Sequence, residues 1–279
     1  MIKVQETKTL VTKDNNNSSN CIAPNLIYGC LGSCKSYCYM ARYNGDRVFV
    51  NKNAEDIFNS VADWVEDKPF PKPEDQQSSD GLYYADISCN TDLVLMQKHL
   101  PEPLHDYLKR YDVHPKLNST MATKYPSLLT LDVNHFNKKP RVRVSVMPQV
   151  YSDVLEPNMQ KVHTRIQDIN RLKQLGWEVH INYSPVVFYP GWKNEYDQLF
   201  KEIKTVAGEN KCEVIALTNH KLQMQKASDK AKELMKFSNE IKNDSGVMRY
   251  PVQQKAIALQ NFKDIYSKYF SLDTIRYIF

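Results

Sequence analysis

Apolar and polar positions alternate along the chain in blocks, and the blocks predict strands separated by helices. The strand-like runs are short, apolar and bounded by polar or turn-forming residues, and they cover residues 25–28, 82–88, 117–124, 142–150, 178–187 and 212–218. Helical stripes separate most of these runs, and one of them carries Val162, Ile166, Ile169 and Leu172 and stops at Gly176. Strands that alternate with helices in this way predict a parallel α/β sheet or barrel.

Polar side chains occupy one face of two predicted strands, opposite a row of apolar ones: Arg141, Arg143 and Ser145 on one strand, and His180, Asn182 and Ser184 on the other. Strands that are buried on both faces in α/β proteins are normally apolar on both. A barrel-like sheet with helices outside and a polar ligand inside explains the two polar rows. A strand at the edge of the sheet explains them too.

Composition narrows the class of protein. With 279 residues the chain is long enough for one large domain, and we predict a single domain with an N-terminal extension over 1–24, a partial barrel over 25–220, and helices and a terminal strand over 221–279. Glycine is scarce, at 8 residues, and neither GxGxxG nor GxxxxGKS/T occurs, so a glycine-rich phosphate loop is not expected. The net charge of +5 permits a polyanionic partner.

No apolar run approaches the roughly 20 residues that cross a bilayer. Residues 1–20 lack the apolar segment of a signal peptide. We therefore expect a cytoplasmic protein with no membrane partner, whose six cysteines stay reduced.

Three of the cysteines fall within nine residues. Cys30, Cys34 and Cys38 have the spacing CxxxCxxxC directly after a predicted strand. Thiolates are soft ligands that suit iron–sulfur clusters and zinc. Three thiolates can hold three irons of a 4Fe–4S cluster and leave the fourth iron open to an external ligand. Closed zinc sites instead need four ligands, and the fourth would have to come from Cys21, Cys89 or a histidine.

The segments after the cysteines resemble one known family in order along the chain. Tyr37 and Tyr39 flank Cys38, and the segments YADISCNTD, MATKYPSLL, RVSV, LEPN with Arg165, and YSPVVFYPGWKNEYDQLF follow. Together they resemble the spore photoproduct lyases, a family of radical S-adenosylmethionine (SAM) enzymes. The resemblance runs from about residue 25 onward. The usual radical SAM spacing is CxxxCxxC, and this chain has one residue more before Cys38.

The resemblance implies a fold and an activity. The fold is a partial (β/α)6 TIM-like barrel with short additions at both ends. The cofactors are a 4Fe–4S cluster on Cys30, Cys34 and Cys38, and SAM. The reaction is the carbon–carbon lyase step of DNA repair, in which a 5′-deoxyadenosyl radical made from SAM abstracts hydrogen from a thymine dimer photolesion. The partners are DNA that carries the lesion and an external electron donor.

The resemblance also assigns roles to individual residues. Cys89 matches the hydrogen-donating cysteine, and Tyr37 and Tyr39 match the tyrosines that relay the radical. The SAM contacts would be made by Tyr39, Thr91, Lys124, Ser145 and Ser184. Arg249 and Tyr250 would remain from a basic, aromatic hairpin near the DNA lesion, and they are the expected substrate contacts.

Two other functions stay open. One is a different radical SAM reaction on nucleic acid or on a small substrate, because a fold does not fix a substrate. The other is a non-catalytic zinc or nucleic-acid binding protein, in which Cys89 is an inert cysteine and the tyrosines only pack. Five lysines in the C-terminal third could contact phosphates or form a solvated helix face: Lys221, Lys226, Lys230, Lys232 and Lys236.

Overall fold

The computed structural model describes residues 1–15, 17–38, 40–41, 47–66, 68–69, 71, 81–240 and 246–279. Its strands are β1 Ile2–Gln5, β2 Lys13–Asp14, β3 Cys21–Ile22, β4 Ile27–Tyr28, β5 Val48–Asn51, β6 Tyr83–Asp86, β7 Leu117–Thr123, β8 Arg141–Val146, β9 Glu178–Val186, β10 Cys212–Ala216, β11 Thr218–His220, β12 Asn239–Glu240, β13 Val247–Arg249 and β14 Ile275–Ile278. Its α-helices are α1 Ala54–Glu66, α2 Leu93–Met96, α3 Leu104–Val113, α4 Gln149–Leu155, α5 Val162–Gln174, α6 Trp192–Val206, α7 Lys221–Lys226, α8 Asp229–Met235 and α9 Val252–Tyr266. Short 3₁₀ turns cover Gln97–His99, Pro126–Leu128 and Leu272–Thr274.

The main sheet has eight strands in the order β14-β10-β9-β8-β7-β6-β3-β2. Every neighbouring pair is parallel except β2 and β3. Parallel neighbours need long crossovers, and α3, α5, α6 and α9 lie on four of them. The sheet curls into a half-barrel with its two edges formed by the N-terminal and C-terminal segments. Within the described ranges, no helix is long and apolar enough to cross a membrane.

Most predicted strands are confirmed, with two corrections. Within the predicted run 25–28, only the two residues of β4 form a strand. This strand pairs with β5 in a separate sheet that also contains β1. The run 142–150 is wrong at its end, because β8 stops at Val146 and α4 begins at Gln149. Pro148 stands at the start of that helix. Proline has no N–H for a strand ladder, and its fixed φ suits the first turn of a helix.

The edge-strand interpretation of the polar rows is wrong, because β8 lies between β7 and β9 and is buried on both faces. Acidic side chains of other strands in the sheet pair with part of the polar row on β8. Arg143 donates to Asp86 at 2.7 Å and lies 3.4 Å from Glu213, and these side chains are buried. Buried ion pairs persist only when each charge is matched in this way. Ser145, Asn182 and Ser184, towards the carboxyl end of the sheet, line a cavity that is described below.

An aromatic cluster joins the C-terminal segment to the half-barrel. Tyr183 of β9 packs edge-on against Phe200 of α6 and Phe262 of α9, with ring centroids 5.4 and 5.7 Å apart. Phe200 and Phe262 also meet each other at 5.1 Å. Pairs of this geometry contribute about 0.5–1.5 kcal/mol beyond the area they bury. The cluster therefore fixes α9, which leads into the terminal strand β14.

Candidate active site

The cysteine loop closes one end of a cavity of about 210 Å³, called here the cysteine cavity. The cavity brings together most of the site residues predicted from the sequence: Cys30, Cys34, Cys38, Cys89, Thr91, Lys124, Ser145 and Ser184. These residues come from the loop after β4 and from the carboxyl ends of four neighbouring strands. The carboxyl ends of parallel strands meet at one edge of a sheet, which is where ligands bind in α/β folds.

The three loop thiols differ in their electrostatic state. A hydrogen bond between the side chains of Cys34 and Cys38 lowers the pKa of Cys38 to about 6 and raises the pKa of Cys34 well above its usual range. Burial raises the pKa of Cys30, whose Sγ accepts a hydrogen bond from the Gly32 N–H at 3.1 Å. One thiolate is therefore already favoured near neutral pH, as a metal ligand requires.

The donor set of the loop fits a cluster better than a single ion. In the part of the chain that the structure describes, no three His, Cys, Asp or Glu side chains form a group that could hold one metal ion. A closed zinc site needs four such ligands. In a 4Fe–4S cluster each thiolate binds a different iron, so thiols that line one side of a cavity suffice. A Cβ on Gly32 would lie only 3.1 Å from Sγ of Cys30, so a side chain at this position would crowd the sulfur of a predicted cluster ligand.

Lys124 carries the positive charge of the cavity. Its Nζ lies 3.6 Å from Oε1 of Glu156. Burial opposes a charge on Lys124, but the negative groups around it, Glu156 first and then Cys34 and Asp92, together outweigh this effect and raise the pKa of the ammonium group. Glu156 is itself buried and also pairs with Arg165 at 2.9 Å. A charged ammonium group that lines a cavity can bind the carboxylate of a ligand.

Cys89 sits on the turn after β6, and hydrogen bonds fix this turn. Oδ1 of Asp86 accepts from the Ser88 N–H at 2.9 Å, and Oγ of Ser88 accepts from the Ala122 N–H at 2.8 Å. Oγ1 of Thr91 donates to the Gly29 carbonyl at 2.8 Å, which ties the turn to the start of the cysteine loop. Cys89 lines the cysteine cavity with part of its surface exposed, and the protein around it still desolvates the thiol.

The environment of Cys89 keeps it protonated. Burial, with a smaller contribution from the Asp86 carboxylate, raises the pKa of the thiol to about 12. Cys89 therefore carries a hydrogen on sulfur at neutral pH. Cys38, in contrast, favours the thiolate. A group that donates a hydrogen atom must carry that hydrogen, as the Cys89 thiol does.

Asp92 is a site residue that sequence analysis missed. Its Oδ1 accepts from the Leu95 N–H at 3.1 Å and from the Thr123 hydroxyl at 2.8 Å, and its Oδ2 accepts from the Lys124 N–H at 2.8 Å. The residue caps α2 and holds the end of β7, so it positions Lys124. An aspartate directly before an apolar helix is a cap signal that the sequence already contained.

Asn182 is the second residue that sequence reasoning left without a role. It lines the cysteine cavity from β9 and donates to Oγ of Ser145 at 3.2 Å. Its buried Oδ1 has no hydrogen-bond partner among the described residues. Buried polar atoms are nearly always hydrogen-bonded, so this oxygen indicates a polar ligand in the cavity.

The other predicted site residues lie elsewhere. Tyr37 does not line the cysteine cavity, and its hydroxyl donates to Glu156. Tyr39 lies outside the described residues. Arg249 on β13 is half-buried, with its guanidinium 5.8 Å from the ring of Phe279. Tyr250 is buried, and its hydroxyl oxygen accepts from the Phe188 N–H at 2.9 Å.

A larger cavity of about 790 Å³, called here the outer cavity, adjoins the cysteine cavity. The two share Cys89 and Met40 in their linings. Tyr277 and Phe279 form part of its wall, with their rings stacked at a centroid separation of 6.3 Å and an angle of 19°. Flat aromatic walls suit planar ligands such as nucleobases. The outer cavity therefore offers room for a substrate beside the Cys89 thiol.

The curled half-barrel, with its site at the carboxyl ends of the strands, is the fold of the radical SAM class. The family model for spore photoproduct lyase matches residues 2–243, and the chain belongs to the spore photoproduct lyase family. The fold prediction and the predicted family are thereby confirmed. The individual roles of the site residues, and the effect of the CxxxCxxxC spacing, stay predictions.

Individual spore photoproduct lyases also resemble this chain in sequence and in structure. A spore photoproduct lyase from Clostridium acetobutylicum is 22% identical over 191 residues, which cover 67% of this chain and 53% of the relative. The chain thus spans about half the length of that curated relative. A solved spore photoproduct lyase complexed with dinucleoside spore photoproduct superposes with a TM-score of 0.81 at 17% identity, over 100% of this chain and 82% of the other. A variant with bound AdoMet and the same dinucleoside gives a TM-score of 0.78 at 17% identity, with the same coverage.

Proposed function

We propose that this protein is a radical SAM lyase that repairs spore photoproduct, a thymine dimer lesion in DNA. The observation that carries the proposal is the composition of the cysteine cavity. Three thiols of one loop, the ammonium group of Lys124 and the protonated thiol of Cys89 line the same space. This set contains a group for each task of such a reaction: holding a cluster, binding SAM and returning hydrogen.

Cys30, Cys34 and Cys38 would hold the 4Fe–4S cluster, and Lys124 would bind the carboxylate of SAM. Thr91, Ser145 and Ser184 supply further polar groups for SAM, and the unpartnered Oδ1 of Asn182 supports a polar ligand there. The chemistry supplied at this site would be one-electron cleavage of SAM, which yields a carbon radical able to remove hydrogen from the substrate.

Cys89 would complete the repair. Its sulfur lies where the cysteine cavity and the outer cavity meet, so a substrate in the outer cavity would contact both. The Cys89 S–H bond would break, its hydrogen atom would pass to the carbon radical of the product, and the sulfur would be left as a thiyl radical. Tyr37 and Tyr39 remain the predicted relay from that radical back towards SAM.

The lesion would enter the outer cavity as an extruded nucleotide pair. Extrusion costs a few kcal/mol and is cheapest for a damaged base. The stacked rings of Tyr277 and Phe279 support a nucleobase ligand, and Arg249 beside Phe279 would add charge for a phosphate. The dinucleoside spore photoproduct in the related structure is consistent with a pocket for two joined thymines.

The test is anaerobic reconstitution with iron and sulfide, followed by SAM, dithionite and a spore photoproduct dinucleotide. Mass spectrometry would detect thymidylyl-thymidine and 5′-deoxyadenosine. SAM-dependent release of thymidylyl-thymidine would support the proposal. A chain that holds only zinc and forms neither product would contradict it, and it would favour the non-catalytic alternative. The cytoplasmic location stays a prediction and can be tested by cell fractionation.

A second candidate is a radical SAM reaction on a different nucleic acid or small substrate. It is favoured by the burial of Tyr250, which packs on Phe188 at a ring separation of 5.0 Å and lines neither cavity. Formation of 5′-deoxyadenosine without thymidylyl-thymidine would distinguish this candidate from the first.

A further inference from the structure

A groove of about 460 Å³ lies on the outer side of the cysteine loop, and it is called here the loop groove. Ser33, Lys35 and Ser36 of the loop form one wall, and residues of α7 and α8 form the other. Nε2 of Gln223 donates to the Cys38 carbonyl at 2.7 Å and to the Lys35 carbonyl at 3.1 Å. One wall of the groove and the thiols of Cys34 and Cys38, which line the cysteine cavity, thus belong to the same short loop.

The lining of the loop groove is mixed, and it includes an apolar patch around Leu222. Leu222 exposes 51% of its surface although it is a large apolar residue, and Val154, Ala227 and Ala231 lie beside it. An exposed leucine alone needs no explanation. Here it belongs to a concave surface that also presents lysines, and the apolar centre of such a surface suits contact with a protein.

The surroundings of the groove are basic. Residues 221–236 contain five lysines and only two carboxylates, Asp229 and Glu233. Each carboxylate is already paired within α8 and its cap, Asp229 with Lys232 and Glu233 with Lys236. Lys226, which lines the groove, and the exposed Lys230 have no ion-pair partner among the described residues. The net positive charge of this face therefore favours an acidic partner.

We propose that the loop groove is the docking surface for an acidic one-electron carrier protein, such as a flavodoxin or a ferredoxin. The inference rests on the proposed function, which requires an external electron donor. The carrier would lose one electron and the cluster would gain it, with no bond made or broken in the groove. Electron transfer weakens steeply with distance, so a carrier needs the surface nearest the cluster ligands. Redox partners meet through small, transient interfaces, and the size of the groove fits such a contact.

DNA fits this surface less well. The loop groove shares no lining residue with the cysteine cavity or with the outer cavity. A lesion must reach Cys89, which lies on the other side of the loop. The apolar patch at Leu222 would also gain nothing from a phosphate backbone. DNA binding is nonetheless the competing outcome of the experiment.

The test compares Lys226→Glu, Lys226→Gln and Leu222→Gln with a control, Lys201→Glu, on the exposed side of α6. The probes are an oxidised flavodoxin, whose affinity is measured by calorimetry at low and moderate salt, and a lesion-bearing duplex. The rate of 5′-deoxyadenosine formation is then measured with reduced flavodoxin and, separately, with dithionite. Dithionite is a small reductant that needs no docking surface.

Lys226→Glu should weaken flavodoxin binding about tenfold, because a like charge now opposes the acidic partner, and the loss should shrink as salt rises. Lys226→Gln should give a smaller loss, Leu222→Gln a loss that salt does not change, and Lys201→Glu none. The flavodoxin-driven rate should follow the affinity, while the dithionite-driven rate stays within about twofold. Unchanged flavodoxin affinity in all variants would overturn the proposal, as would a loss of duplex affinity in its place. Flavodoxin affinity is measured without turnover, so a chain without repair activity would still give an answer.

Discussion

Oε2 of Glu156 lies 2.9 Å from Nη1 of Arg165, and both side chains are fully buried. Oε1 of the same carboxylate accepts from the Tyr37 hydroxyl and lies 3.6 Å from Nζ of Lys124. Glu156 thus joins the cysteine loop, the end of β7 and helix α5. The same carboxylate therefore stabilises the positive charge of Lys124 in the cysteine cavity and holds the cysteine loop in place through Tyr37.

Glu156→Gln should therefore destabilise the protein by about 3–5 kcal/mol, because it leaves two buried cations without their carboxylate. Urea denaturation measures the loss. Asp153→Asn is the matched control on the neighbouring helix α4, where it removes the charge of the exposed pair with Lys161 at 2.7 Å and leaves an amide oxygen to accept from Gln149. That change should cost less than about 1 kcal/mol. Equal effects of the two substitutions would contradict the anchoring role of Glu156.

Cys38 and Cys89 should react with iodoacetamide at opposite ends of the pH scale. In the metal-free chain, Cys38 has a pKa of about 6 and is a thiolate at neutral pH, whereas Cys89 has a pKa of about 12 and is a thiol. Only the thiolate is alkylated. Peptide mapping by mass spectrometry should find Cys38 modified from about pH 6 upward and Cys89 modified only in strongly alkaline solution. Asp86→Asn should shift the Cys89 profile to lower pH, and a profile that does not move would show that burial alone protects the thiol.

Gly32→Ala should reduce the iron bound after reconstitution. The new methyl group would lie 3.1 Å from Sγ of Cys30 and 3.4 Å from Cε of Met159, closer than most real Cβ contacts. Because Cys30 is displaced rather than removed, iron per chain should fall by about half or more, and the folded fraction should stay the same. Ser36→Ala, in the same loop, is the control and should bind iron normally. Full iron content in Gly32→Ala would show that the loop adapts at this position.

His180 should make the protein sensitive to mild acid. It is buried between Glu178 and Arg276, and burial together with the positive charge of Arg141 lowers its pKa to about 3. The unfolded state takes up a proton below about pH 6.5, and the folded state does so only near pH 3, so stability falls as pH falls through this window. The loss approaches about 1.4 kcal/mol for each pH unit.

His180→Asn should flatten that acid-side slope in denaturation curves measured from pH 6.5 to pH 4. The substitution also changes the contacts of the imidazole with Glu178 and Arg276, so the slope, and not the absolute stability, is the quantity to compare. His163→Asn, which removes an exposed histidine beside Glu202, is the control and should keep the slope of the parent chain. A steep slope in both variants would assign the acid sensitivity to other groups.

Much of the fold follows from local patterns in the sequence. The apolar runs of β7, β9 and β10 and the stripe of α5 lie where periodicity predicts them. The predicted end of β8 is wrong because apolar residues continue along the sequence as far as Val150, although Pro148 stops the strand. Propensity could not predict that β4 leaves the main sheet, because pairing partners are set by tertiary contacts.

The sequence predicts which residues contribute to the site, but not how the folded chain arranges the residues around them. The spacing of Cys30, Cys34 and Cys38 and the order of later segments predict residues that do share one cavity. The partners of Arg143 could not be read from the sequence, since Asp86 and Glu213 lie 57 and 70 residues away. Such pairs depend on the register between strands. For the same reason, the hydrogen bond from the Tyr37 hydroxyl to Glu156 can be identified only in the folded chain.

The strand order of the main sheet also has a consequence for biosynthesis. The cysteine loop is translated before β10, and β10 has to wait for β14, whose paired residues lie 63 to 64 positions further along the chain, before that edge of the half-barrel is paired. Pairings between distant segments form slowly. During this interval the thiols of the loop lack the finished barrel around them, and exposed thiolates are open to oxidation. The yield of active protein in a cell should therefore depend on how reducing the surroundings of the ribosome are, and on whether iron and sulfide arrive before oxygen does.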